Sequence, residues 1–279
     1  MVFRKLAKKI LKKSPSLYSS LHTINFEQTH QQDISLLNEN EKKLFQKVND
    51  VGYVVLENFF DSDFCKKCIT DFEWMLKNKK EFVQHSQDYR IFGAEHLSDN
   101  INQFSNQEFI TRFANAYMGV PTCNGFTLAA KLENNEQEFG SGGTWHRDSY
   151  FRQFKSIIYL DDVDEGNGPF QVVANSHKTK QKSIDKKLAN FKELDSSFTS
   201  KQIDILLNRD PERLHTLTGK AGTVILVDTS ILHRGKPLQN GIRYSMFNYY
   251  FERTQINSHL VEHFSPLVSP EKVLRMALS

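Results

Sequence analysis

The chain is poor in the features that would place it in a membrane or in a disulfide-stapled class. It has no run of about 18 apolar residues, so a membrane-spanning helix is not expected. It has three cysteines in 279 residues, an odd and sparse count. With no signal-peptide pattern, this points to a reducing, cytoplasmic compartment. No internal repeat or low-complexity tract breaks the sequence. Net charge is also slight, at +3. Six positive charges (Arg4, Lys5, Lys8, Lys9, Lys12 and Lys13) lie in the first thirteen residues. Against a net of +3, those six leave the remainder at −3, and no acidic residue precedes Glu27. The basicity is therefore local, and nucleic-acid binding by the main body is not expected.

That first stretch alternates its basic residues with Val2, Phe3, Leu6, Ala7, Ile10 and Leu11 at helical spacing. Such a helix can lie on an anionic membrane surface, so peripheral membrane contact through residues 1–13 is one expectation. A transit peptide and a helix docked on the body are the others. Residues 14–37, rich in Ser, Gln and His, read as a polar linker. Residues 38–279 read as one domain.

The one CxxC, Cys65-Lys66-Lys67-Cys68, invites a zinc or redox reading. No second CxxC completes a four-thiolate set. The motif also falls inside a predicted helix from Ser62 to Lys77, with Phe64, Ile69, Phe72 and Leu76 apolar. Both cysteines are expected to be ordinary helix residues.

The chemistry concentrates elsewhere. His146-Arg147-Asp148 puts an imidazole and a carboxylate two residues apart, on one side of an extended chain. His233 follows an apolar β-rich run, Val224 to Val227, after the turn signal Ala221-Gly222. Two histidines and a carboxylate form the ligand set of a mononuclear non-haem Fe(II) centre, with one face open for co-substrate and O2. Arg243 opens an aromatic strand and offers a fixed fork for a dicarboxylate. This combination predicts a 2-oxoglutarate-dependent oxygenase.

The same residues resemble the phytanoyl-CoA dioxygenase (PhyH) family. The matching segments are His146-Arg147-Asp148, Glu165-Gly166-Asn167-Gly168-Pro169, Asn175-Ser176-His177-Lys178, Gly222 through His233-Arg234-Gly235, and Arg243. Upstream, Asp50 to Phe60 is similar to the family's opening strand. The resemblance implies a mainly β fold with flanking helices (α+β), built on a double-stranded β-helix, or jelly-roll, cupin-like core. It implies His146, Asp148 and His233 as iron ligands, Arg243 as partner of the distal 2-oxoglutarate carboxylate, and Ser245 as an added donor. Lys131 resembles a lysine that many relatives carry on the strand before H-x-D. Tyr159 is a further candidate for the co-substrate, with core packing the better expectation, and Arg90 is a candidate at the site's mouth. Asn175 replaces the family's turn glycine. Asn tolerates positive φ, so the turn can survive, with His177 as a turn residue. A helical insert is expected around residues 179–219, where family members vary most.

The implied reaction consumes Fe(II), 2-oxoglutarate and O2, releases succinate and CO2, and hydroxylates an unactivated C–H of a small or amphiphilic metabolite. An acyl-CoA, a lipid-linked or envelope sugar, and a specialised metabolite are the candidate substrates. Halogenating relatives carry a small residue where Asp148 stands, so hydroxylation is expected over halogenation. The alternatives are a non-catalytic jelly-roll metabolite-binding protein and a zinc cupin-type enzyme.

Overall fold

The computed structural model describes residues 15–85, 87–133 and 142–256. The basic segment 1–13 and the C-terminal residues after 256 lie outside it.

Helix α1 (Pro15–Thr29) occupies much of the stretch expected to be a linker. Its sequence has no apolar stripe to announce a helix. It is held by tertiary contacts: Phe26 stacks on His30 and on Phe151, and the Arg152 guanidinium lies over the Phe26 ring. Helix α2 (Glu39–Val51) opens with a full capping box, in which the Asn38 side chain accepts from Glu41 N and Glu41 reaches back to Asn38 N. Gly52 ends it at φ +98, a left-handed value that a side chain would strain. Strand β1 (Tyr53–Leu56) follows directly.

Helix α3 (Ser62–Asn78) starts at an Asp61 cap. Its buried face is Phe64, Cys65, Cys68, Phe72 and Met75. The CxxC is thus part of a packing stripe. Burial pushes the Cys65 thiol up to about 11 and Cys68 up to about 12, so both stay protonated and inert. Then come β2 (Gln84–His85), β3 (Tyr89–Phe92), α4 (Asp99–Ser105), α5 (Glu108–Met118), β4 (Thr122–Glu133), β5 (Phe154–Tyr159) and β6 (Phe170–Val173). Next are α6 (Thr179–Ala189), α7 (Ser200–Arg209), β7 (Leu214–Leu217), β8 (Val224–Asp228), β9 (Leu232–Gly235) and β10 (Ile242–Glu252). The insert expected over 179–219 is helical through α6 and α7. Its last part, β7, is a strand of the core.

All strand pairs are antiparallel. One sheet has seven strands in the order β1-β8-β5-β10-β4-β3-β2, and the other has three in the order β7-β6-β9. This is a jelly-roll core with flanking helices. Period-two alternation divides its residues. On β5, Phe154 and Ile158 face the helical layer, while Ile157 and Tyr159 face the small sheet. On β8, Val224 and Leu226 join the helical layer, while Ile225 and Val227 join the inner one. A third cluster packs α6 and α7 on Trp145, Val173 and Leu232, covering the outer side of the small sheet. The turn after β6 keeps its shape with Asn175 at φ +67, and Asn175 N donates to Val51 O. His177 is a turn residue there, its ring Nε2 3.1 Å from Asn49 O.

Candidate metal centre

His146 and His233 meet through their backbones before their side chains meet. His146 N donates to His233 O and His233 N donates to His146 O, both at 2.9 Å. The H-x-D segment is an isolated bridge rather than the strand expected from spacing. Each residue pairs with a different segment: Arg147 N donates to Ser196 O and Asp148 N to Thr229 O. The alternation nonetheless survives. His146 and Asp148 turn into the cleft between the sheets. Arg147 turns outward, where its guanidinium donates to Ser176 O and covers the Phe198 ring.

His146, Asp148 and His233 place ligand atoms within 4.8 Å of one another. Among the described residues this is the one such group of His, Cys, Asp or Glu. Each imidazole is oriented by a carbonyl at Nδ1: Thr144 O at 2.7 Å for His146 and Ile231 O at 3.0 Å for His233. Those carbonyls keep the proton on Nδ1 and leave the Nε2 lone pairs free for a metal. Asp148 Oδ1 lies 3.6 Å from His146 Nε2 and 3.7 Å from His233 Nε2. Burial pushes His233 down to about 3, with His146 adding to the effect, and burial also lowers His146. Both imidazoles are therefore neutral at pH 7. Burial opposes ionisation of Asp148, but Lys155 and the two imidazoles hold it well below the usual carboxylate range. Two neutral nitrogens and one carboxylate fit a divalent first-row metal.

Lys155 is the residue that sequence reasoning missed. It sits on β5 with the parity of Ile157 and Tyr159, and its Nζ is 2.6 Å from Asp148 Oδ2. It also lies 3.8 Å from the centre of the Tyr249 ring. Lys155 thus takes the carboxylate oxygen that does not face the histidines. The available signal was a single charged residue in an otherwise uncharged β-rich run.

Arg243 and Ser245 line the same cleft from β10. Ser245 is buried and Arg243 half-buried, and the buried atoms Arg243 Nε and Ser245 Oγ have no hydrogen-bond partner. A β-carbon at Gly168, whose φ is +79, would lie 3.4 Å from Arg243 Nη1 and 3.1 Å from Leu132. Glycine there makes room for the guanidinium. Burial lowers the Arg243 pKa, opposed by Tyr159, Asp161 and Asp88. Leu128, Ala130, Leu132, Ile157, Phe170 and Phe247 supply the apolar wall of a cavity of about 200 Å³. Arg90 also reaches the cleft, with Nε 2.9 Å from Asp88 Oδ1.

Two co-substrate candidates, Lys131 and Tyr159, are engaged with protein groups, Tyr159 in the core packing that was its better expectation. Lys131 turns away from the cleft, because Ala130 and Leu132 take the inner positions on β4. Its Nζ pairs with Glu73 at 3.0 Å and Glu133 at 3.2 Å. Tyr159 does line the cleft, but its hydroxyl is saturated. It donates to Leu217 O at 2.8 Å and accepts from Phe170 N at 2.9 Å. Burial pushes that phenol up to about 12. Its single proton is committed to joining the two sheets.

A jelly roll that gathers two imidazoles and a carboxylate beside an arginine is the architecture of the non-haem iron, 2-oxoglutarate-dependent oxygenases. The family model "Phytanoyl-CoA dioxygenase (PhyH)" matches residues 48–243, and the chain belongs to that family. It is a non-haem iron enzyme that uses 2-oxoglutarate and O2. No curated protein matches the sequence significantly. Among solved structures, the chain is similar to EctD from S. alaskensis with bound Fe (TM-score 0.62, 17% identity, 81% of this chain and 82% of that one). It is similar to the epimerase SnoN from nogalamycin biosynthesis, in complex with Fe3+, alpha ketoglutarate and nogalamycin RO (0.59, 16%, 77% and 84%). It is also similar to HygX from Streptomyces hygroscopicus with nickel and 2-oxoglutarate bound (0.56, 13%, 77% and 87%). At these identities the likeness is one of fold. No helix among the described residues is long and apolar enough to cross a membrane.

Proposed function

We propose that His146 Nε2, Asp148 Oδ1 and His233 Nε2 hold Fe(II), and that Arg243 with Ser245 holds the distal carboxylate of 2-oxoglutarate. The observation that carries this reading is the pair of orphaned buried donors, Arg243 Nε and Ser245 Oγ, in the cleft of the imidazole–carboxylate group. A buried guanidinium N–H without a partner costs stability unless a ligand completes it. The reaction is hydroxylation of an unactivated C–H in a small or amphiphilic metabolite. Bound Fe(II) supplies oxygen activation coupled to decarboxylation of 2-oxoglutarate. The chain's own residues do the rest. Lys155 keeps Asp148 ionised and presents one oxygen to the metal. Thr144 O and Ile231 O fix the imidazole planes. The wall of Leu128, Leu132, Ile157 and Phe247 excludes water from the reacting carbon. An apolar wall suits an aliphatic segment of the substrate. Residues 1–13 would add peripheral membrane contact to an otherwise cytoplasmic enzyme.

The test is succinate formation by anaerobically prepared protein given Fe(II), 2-oxoglutarate and O2, with a panel of acyl-CoAs, lipid-linked sugars and specialised metabolites. The expected result is substrate-stimulated succinate and a product that gains one oxygen atom. A product of unchanged mass would replace hydroxylation with isomerisation. Absence of succinate, together with no thermal shift on adding 2-oxoglutarate and metal, would overturn the site.

A further inference from the structure

A second cavity, of about 180 Å³, shares no lining residue with the metal cleft. It lies between α1, the end of α5, the segment after the H-x-D motif and the start of α6. Its wall carries three cations, Arg152, Lys178 and Lys182. None of them makes an ion pair among the described residues.

Lys182 is 7% exposed. Its ammonium donates to Tyr150 O at 2.6 Å and to Ser230 Oγ at 3.2 Å, both uncharged. That commits two of its three N–H bonds. Arg152 Nη1 donates to His30 O and Tyr117 O, again uncharged. The acidic residues on the wall are otherwise engaged. Asp228 accepts from Tyr117 Oη, Gln153 N and Ser230 N. Glu27 accepts from Thr179 Oγ1 at 3.3 Å. Lys178 occupies the cap position of α6 without a side-chain hydrogen bond, so the first-turn N–H groups at the cavity's edge lack a capping acceptor. Burial of an ammonium among neutral oxygens is costly without a counter-ion. Burial accordingly pushes Lys182 down to about 7, with Asp228 and Glu27 opposing and Arg147 and Arg152 reinforcing the effect.

We infer that this cavity is a binding site for a phosphate group, free or as a small monoester, held by Lys182, Arg152 and Lys178. A phosphate supplies two charges and several acceptor oxygens to cations and N–H groups that lack an anionic partner. The site lies beside the two segments that carry the metal ligands. Tyr150 and Arg152 follow Asp148, and Asp228 and Ser230 precede His233. It rests on none of the residues assigned to iron or 2-oxoglutarate.

The test is calorimetric titration of the full chain with inorganic phosphate and with glycerol phosphate, in chloride at matched ionic strength. Saturable binding is expected. Lys182→Met and Arg152→Gln should each weaken it about tenfold or more, the loss of one charge-assisted hydrogen bond. Lys178→Gln, at an exposed position, keeps the test open if Lys182→Met fails to fold. It should weaken binding about twofold, with the thermal melt unchanged. Tighter binding of the ester identifies a phosphorylated metabolite as ligand, and equal binding identifies free phosphate. Absence of saturable heat, or equal affinity in all three variants, would overturn the site. Loss of binding in Arg243→Met would place the anion in the metal cleft instead.

Discussion

Two outward and two inward polar side chains of β10 are in opposite condition. The outward face shows Tyr244 and Asn248. Tyr244 Oη donates to Glu73, which also receives Lys131. Asn248 Oδ1 accepts from Thr127 Oγ1 at 2.7 Å, and its amide donates to Phe104 O at 3.0 Å. The inward face shows Arg243 and Ser245, each with a buried atom that bonds to nothing. Both faces are built from one strand in one register with β4 and β5. Tyr244 and Asn248 are completed by the fold, whereas Arg243 and Ser245 border the open cleft; Tyr250 Oη, on the outward face, is also buried without a partner. An unmet donor therefore marks a candidate ligand contact only where it also faces a cleft.

Mutations on the two faces should split stability from activity. The largest effect belongs to Asp148→Ala. It should abolish succinate formation and also lower stability by about 3–5 kcal/mol, because Lys155 is left buried without its partner. The double variant Asp148→Ala/Lys155→Met should regain stability and stay inactive. Thermal melts and succinate assays on both proteins check this, and an undiminished melt for Asp148→Ala would show that Lys155 finds another partner.

A smaller, cleaner split comes from Arg243→Met set against Asn248→Ala. Arg243→Met should raise the 2-oxoglutarate requirement about tenfold or more with no loss of stability, since no protein partner is orphaned. Asn248→Ala should cost about 2 kcal/mol while leaving that requirement unchanged, since it strands Thr127 and Phe104 O. Paired kinetics and urea melts would read both.

The remaining effect is one of pH on the metal-free protein. His233 is held at about 3 by burial, below its unfolded value near 6.5. Between those values the unfolded chain binds the proton and the folded chain does not. Stability should thus be full above about pH 6.5 and fall as pH drops toward 3. Urea midpoints at pH 7 and pH 4.5 measure the slope, and His233→Gln should flatten it.

The contrast also explains what the sequence disclosed. That His146, Asp148, His233 and Arg243 would meet in one cleft was readable because their residue types and flanking strands limit the chemistry. The jelly roll was implied by the resemblance to the PhyH family, and apolar runs such as Val224 to Val227 marked some of its strands. Lys131 was misread because residue type says nothing of strand parity, and parity turned it to α3 and Glu73. Tyr159 lies on the right face, but its proton goes to Leu217, which only three-dimensional pairing reveals. Helix α1 was hidden because its anchors, Phe151 and Arg152, are far away in sequence. Lys155 escaped because its meaning depends on a carboxylate brought alongside by the bend after Asp148.

The backbone bridge between His146 and His233 sets an order of events in the life of the protein. A chain emerging from the ribosome carries His146 and Asp148 long before β9 exists, and two ligands alone are a poor trap for iron. The third ligand arrives only when β9 aligns beside β6 and the bridge closes, a non-local pairing that forms slowly. On the proposed ligand set, iron loading would therefore follow the pairing of β9 with β6, and a copy whose small sheet has not closed would lack the third ligand.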